Sequence, residues 1–188
     1  MFNLAPVSLW LEDYSALKAL FQRWREEGVD DLEAYLRADP PLLAQCSAAL
    51  RVLQVNQRTL DLFAAPDQAT LVAQLGQIFR DDMHHSLVRE LVQLWEGRLE
   101  YSNESVNYAL DGRRLDVRVN VRVLPGHEED WSRVLVSLED ITRQMQDALQ
   151  LRRSEQYARG LFEYSPVSLW VEDFSTIKML LDGVRAQG

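Results

Sequence analysis

The side chains in this sequence that could do chemistry are few and scattered. His84 and His85 are adjacent imidazoles, and neutral imidazole is a good ligand for iron. Glu12-Asp13 and Asp81-Asp82 are neighbouring carboxylates, the residue type used for general acid–base work. Cys46 is the single thiol, and Asn56 and Asp140-Ile141-Thr142 place hydrogen-bonding groups at points where elements should begin or end. None of these has the companions that would complete a site. No His, Cys and carboxylate group stands at metal-ligand spacing. No Gly-rich phosphate loop, Gly-x-Ser-x-Gly elbow, His-Glu-x-x-His or kinase motif set is present. Adjacent carboxylates at element ends more often cap helices than form an acid–base couple, so the expectation is a non-enzyme.

Composition narrows the classes further. The 188 residues are 47% hydrophobic and 26% charged with only 8 Gly and 6 Pro, which is the make-up of a folded globular chain. A net charge of −9 argues against a nucleic-acid partner, because phosphate binding relies on clustered Lys and Arg. One cysteine excludes an intrachain disulfide, and the small and polar flanks of Cys46 suit a buried, inert thiol inside a helix. No apolar run approaches the roughly 18 residues of a membrane span, and the N-terminus lacks a basic region followed by an apolar one. The expected location is cytoplasmic.

The elements that must position these residues follow from periodicity. Residues 7–12 alternate and carry Val, Leu and Trp, a short half-buried strand. Leu17, Leu20, Phe21 and Trp24 then form one helical stripe that closes at Gly28. Asp31 caps a second short helix, and Pro40-Pro41 separates it from a third containing Cys46. Residues 50–55 are a strand whose following Asn56 caps a short helix. Asp67 caps another that runs through Ile78, and residues 80–96 give the longest amphipathic pattern, with Met83, Leu87, Leu91 and Leu94 on its inner face. His84 and His85 fall on the flank of that face, which favours surface or boundary histidines over metal ligands. The period then changes to two over residues 101–110, 114–124 and 132–139, joined by an Asp111-Gly112 turn and a polar loop over 125–130. Trp10 and Trp131 are read as strand aromatics that fill the core. A charged helix over 143–159 follows.

One stretch occurs twice. Residues 6–13, Pro-Val-Ser-Leu-Trp-Leu-Glu-Asp, return at 166–173 with a single Leu-to-Val change, a shift of 160 residues. Lys18 and Leu20 likewise match Lys178 and Leu180. A shift this long suits whole domains in tandem rather than a solenoid, whose repeats run at roughly 20–50 residues.

Two strands, a helical middle, three antiparallel strands and an exit helix resemble a PAS sensory domain, of the S-box type that ends in Asp-Ile-Thr. The resemblance rests on Val52-Leu53-Gln54-Val55-Asn56, on the Asp111-Gly112-Arg113 turn and on Asp140-Ile141-Thr142. It covers residues 1–14 and 49–188, while the helical insert at 15–48 departs from the tight hairpin usual between the first two strands. It implies an α+β fold with a five-stranded antiparallel sheet in the order 2-1-5-4-3, helices on one face and the other face partly available. The implied organisation is a PAS domain over 1–143, a signalling helix over 144–160 and the truncated start of a second PAS domain over 161–188. That orphan segment is expected to be disordered or to dock by edge pairing.

The resemblance also implies a function. A pocket between sheet and helices would be lined by Trp10, Asn56, Leu60, Phe63, Leu91, Val119 and Val136, with Asn56 better suited to capping. Asp140, Ile141 and Thr142 would transmit the signal. The cofactor is unknown: haem through His84 or His85 is disfavoured, and the stretch Asn56-Gln57-Arg58 lacks the cysteine of a flavin-adduct motif. The expected role is a sensory or relay module of a bacterial signalling protein upstream of a histidine kinase or cyclic-di-GMP enzyme. A small-molecule ligand is possible, and a homodimer through the exposed sheet and exit helix is expected. The alternative is a ligand-free dimerisation scaffold.

Overall fold

The computed structural model describes residues 2–79, 83–163 and 172–185. The chain separates into two compact units, residues 1–145 and 146–188.

In the first unit, β1 (Ser8–Asp13) leads into three helices, α1 (Ser15–Glu26), α2 (Leu32–Ala38) and α3 (Pro40–Ala48), and then into β2 (Arg51–Val55). The helical insert is therefore present between the first two strands, which pair directly despite it. Local chemistry sets the helix starts. The side chains of Asp31, Asn56 and Asp67 accept from backbone N–H groups three residues on, at the starts of α2, α4 (Gln57–Phe63) and α5 (Gln68–Ala73). α1 starts differently: Asp13 Oδ1 accepts from Ser15 N at 2.9 Å, one residue further out than a standard cap.

The single helix expected from Asp67 through Ile78 is two short ones, α5 and α6 (Leu75–Ile78). Gln74 leaves helical geometry at φ −113°, which re-aims the next turn and buries Ile78. α7 (Met83–Trp95) carries the long amphipathic pattern; residues 80–82 and the side chains of His84 and His85 lie outside the described residues.

β3 (Glu100–Tyr108), β4 (Arg114–Val123) and β5 (Val134–Asp140) complete a five-stranded antiparallel sheet in the order β2-β1-β5-β4-β3. α4 packs on β1, α5 on β2, and α6 and α7 on β3. The inner face of β4 is apolar throughout: Leu115, Val117, Val119, Val121 and Val123 are all buried. Its outer face carries ion pairs instead, with Arg118 bonded to Glu139 (2.9 Å) and Arg122 near Glu100 (3.4 Å). This is the two-sided pattern of an antiparallel sheet with one wet face. Gly112 turns the β3–β4 connection at φ +90°, a region that disfavours residues with a Cβ.

Trp131 corrects the sequence reading. It lies in the loop before β5 and not on a strand, with φ +53°. Two backbone bonds hold it there, from Trp131 N to His127 O (2.8 Å) and from Tyr14 N to Trp131 O (2.9 Å). Its ring still packs in the core, edge-on to Phe21 at 6.2 Å.

α8 (Thr142–Glu163) starts in the first unit and continues into the second, where α9 (Ser175–Arg185) is the helix matching α1 in the repeat. Asp173 Oδ1 accepts from Ser175 N at 2.8 Å, as Asp13 does from Ser15. Residues 164–171 of the repeated strand, Trp170 among them, lie outside the described residues, and with them the expectation about the orphan strand.

Candidate functional site

Trp10 is fixed by a directed chain of hydrogen bonds. Its Nε1 donates to Ser8 Oγ (3.2 Å), Ser8 Oγ lies 2.8 Å from Thr59 Oγ1, and Thr59 Oγ1 donates to Leu9 O (3.1 Å). Asn56 ties the same corner together. Its Oδ1 accepts from Leu9 N and Thr59 N (both 3.0 Å) and its Nδ2 donates to Val7 O (2.8 Å). Asn56 is fully buried, so these bonds replace the water it loses. β1 and the start of α4 are thereby locked in register, and the indole is presented inward.

The indole faces a cavity of about 230 Å³ between the sheet and the helices. Apolar walls come from Trp10, Phe79, Leu87, Val119, Val136 and Leu138, and the rings of Trp10 and Phe79 are 6.4 Å apart at 38°. Ser47 of α3 and Gly76 of α6 line it and are exposed, so they mark its rim. Of the seven residues expected to line a pocket, Trp10, Val119 and Val136 do so. Asn56, Leu60, Phe63 and Leu91 do not. Asn56 spends its polar atoms on the β1–α4 corner, Phe63 packs edge-on against Trp10 at 5.7 Å, and Leu91 is buried in the core. A wider groove of about 930 Å³ between α2, α3 and α7 is bordered by exposed Glu33, Arg37 and Arg89 and is a surface feature.

Two carboxyl groups enter the cavity: Glu12 from β1, which the sequence reading set aside as one of a capping pair, and Glu90 from α7, which it did not single out. Burial pushes Glu12 up from 4.5 to about 7, a rise partly offset by the hydrogen bond that Tyr14 Oη donates to Glu12 Oε2 at 2.5 Å. Burial pushes Glu90 up to about 8, the Glu12 charge adds to the rise, and the nearby Arg89 guanidinium opposes it. Tyr101 on β3 and Tyr14 are both raised well above the usual phenol value, by burial first and then by these carboxylates. Asn107 also lines the cavity and is 1% exposed, and its Oδ1 has no hydrogen-bond partner. Glu90 Oε1 is likewise enclosed and unpartnered.

Signals for these residues do exist in the sequence. Glu12 shares the strand parity of Ser8 and Trp10, so β1 faces it inward. Glu90 falls three after Leu87 and four before Leu94, inside the apolar stripe of α7. Asn107 shares parity with Tyr101, on a strand whose inner face is largely polar. Cys46 is buried on α3 and does not line the cavity; burial pushes its thiol up to about 12, which leaves almost no thiolate.

A second cluster lies where β5 ends. Asp140 Oδ1 accepts from Thr142 N (2.9 Å), Thr142 Oγ1 accepts from Asp116 N (2.9 Å), and Ile141 N donates to Asp116 O (2.8 Å). Ile141 is buried. The first residues of α8 are thus bonded to β4, the strand that also carries Val119 into the cavity. Asp116 is the partner that no local pattern announced.

No protein-family model and no curated protein matches the chain. Solved structures do. A light-oxygen-voltage domain studied with a flavin analogue aligns with 80% of this chain and 89% of its own at 11% identity, with a TM-score of 0.50. The fold is that of PAS and LOV domains. Also similar are the LOV domain of the blue-light activated histidine kinase of Erythrobacter litoralis EL346 and the PAS domain of the fruit-fly ELK potassium channel. The first shares 14% identity over 73% of this chain and 97% of that one at TM-score 0.48; the second shares 12% over 75% and 91% at 0.46. In this PAS-type fold the cavity lies between the sheet and the helices, and the Asp140–Thr142 cluster lies at the end of the last strand.

Proposed function

We propose that the first unit is a sensory module in which occupancy of the cavity is relayed through β4 and β5 to α8. One observation carries the reading: the strands that wall the cavity with Val119, Val136 and Leu138 are the strands whose ends hold the start of α8 through Asp116, Asp140 and Thr142. A ligand that shifts this sheet changes the bonds that position the helix, and packed elements with alternative arrangements convert small shifts into discrete ones. A bacterial signalling setting, with a histidine kinase or cyclic-di-GMP enzyme as the effector, belongs to this proposal. So does a homodimer, supported by Met145 and Leu149, apolar and exposed on α8.

The test is hydrogen exchange at the first two turns of α8. Val119→Phe fills the cavity and is expected to change exchange there, and Asp140→Ala or Thr142→Ala, each still folded, is expected to abolish that change. Exchange at α8 that ignores the state of the cavity would leave the ligand-free dimerisation scaffold as the better reading.

A further inference from the structure

We propose that the cavity binds a small organic cation with an apolar body, an alkyl- or arylalkylammonium or an amidinium. Glu12, Glu90 and Asn107 would hold its N–H groups, and Trp10, Phe79 and Val119 its carbon skeleton. The inference rests on the sensory reading and names its ligand class.

Polarity comes first. The described lining contains two carboxyl groups and no Lys, Arg or His. Two enclosed acceptors on facing elements, Glu90 Oε1 on α7 and Asn107 Oδ1 on β3, have no donor. Buried acceptors left unpaired are costly, and a ligand with several N–H donors satisfies both at once. Glu12 is already oriented by the Tyr14 hydroxyl, so one carboxyl group is held in place before binding. At pH 8, above the value of about 7 to which burial raises Glu12, a carboxylate ligand would instead meet like charge, and a neutral alcohol has one donor for two empty acceptors.

Shape and surroundings agree with this. At about 30 Å³ per water-sized group, 230 Å³ holds on the order of eight such groups, enough for a ring or short chain with one charged end. The tilted rings of Trp10 and Phe79 offer faces that attract a cation and also cover its carbon atoms. The inward set Ser8, Trp10 and Glu12 recurs in the sequence as Ser168, Trp170 and Glu172, so the acid travels with the strand motif; Phe174 replaces Tyr14.

Binding is linked to protons. Among the described residues, the titratable groups facing the cavity's acids are Tyr14 beside Glu12, Arg89 beside Glu90 on α7, and Tyr101 on β3. In the empty cavity burial holds protons on the two carboxyl groups near neutrality. An ammonium stays charged to about pH 10. It therefore displaces those protons, and affinity rises from pH 6 to pH 8.

Three probes of one shape and different charge test the proposal by calorimetric titration of the whole chain: benzylamine, benzyl alcohol and benzoate. At pH 8 benzylamine is expected to bind about tenfold or more tighter than benzyl alcohol, the effect of charge-assisted hydrogen bonds, and benzoate not to bind. Benzylamine should lose about tenfold on going to pH 6 and about tenfold in Glu90→Gln, with benzyl alcohol little affected. A Cβ at Gly76 meets nothing within 4 Å, so Gly76→Leu should fold and weaken every probe by narrowing the rim. If Glu90→Gln fails to melt cooperatively, Glu12→Gln replaces it. Equal binding of the alcohol, or a preference for benzoate, overturns the cation assignment and leaves the sensory reading standing. Failure of all three probes on folded protein overturns the assignment too. The sensory reading itself falls only if Val119→Phe also leaves exchange at α8 unchanged.

Discussion

Glu90→Gln offers a direct measure of what a buried acid does to this fold. The ordinary carboxyl value of 4.5 applies in the unfolded chain, and in the native state Glu90 titrates at about 8. Between these values the native protein binds more protons than the unfolded chain, so stability falls as pH rises through that window and levels off above it. Each pH unit costs about 1.4 kcal/mol for one such group, so the ceiling by pH 8 is on the order of 5 kcal/mol. Access to the cavity and coupling to Glu12 reduce this, and an effect of about 2–4 kcal/mol is expected. Gln keeps the shape and removes the ionisation. Ligand-free wild type and variant, unfolded in urea with tryptophan fluorescence as the signal, should agree within about 1 kcal/mol at pH 5 and diverge toward pH 8, with Gln the more stable. The variant keeps a shallower fall from Glu12, which titrates at about 7. Parallel stability curves from pH 5 to pH 8 would refute the placement of Glu90 in a low-dielectric cavity.

Two further perturbations follow from the geometry. Asn56→Ala removes the cap of α4 and the bonds to Leu9 N and Val7 O in a fully buried corner, and should cost about 2–3 kcal/mol, seen as a melting temperature lower by at least about 5 °C; an unchanged melt would contradict the lock between β1 and α4. The pair Gly112→Ala and Gly76→Ala should move in opposite directions. The first is destabilising by about 1 kcal/mol because φ is +90°, and the second stabilising by up to about 1 kcal/mol because Gly76 is helical with open space at its Cβ. Denaturant midpoints of the two variants decide it.

Much of this architecture was legible from periodicity and punctuation. The alternation of β4 from Leu115 to Val123, the stripe Leu17, Leu20, Phe21 and Trp24, and the caps Asp31, Asn56 and Asp67 are local patterns, and the structure realises each of them. They are legible because side-chain direction follows backbone period and because capping involves residues only three apart. The resemblance at Asp140-Ile141-Thr142 supplied the strand order that periodicity cannot give.

The site was less legible, for a physical reason. Glu12-Asp13 reads as a pair at an element's end, yet the two do different things: Asp13 caps α1 from outside, and Glu12, one residue earlier and of opposite parity, points into the cavity. Trp131 reads as a strand residue because its size suits a core, but a left-handed backbone in a loop places it there. Cavity membership depends on which helix lies over which strand. The break at Gln74 brings Gly76 to the rim, and α7 sets Glu90 opposite β1 and β3. By itself the sequence determined the elements, their inner faces and the repeated opening strand, since these depend on neighbours along the chain. Only the tertiary structure decided that Glu12, Glu90 and Asn107, from three separate elements, share one enclosed space, because desolvation and unpaired acceptors arise when distant segments exclude water together.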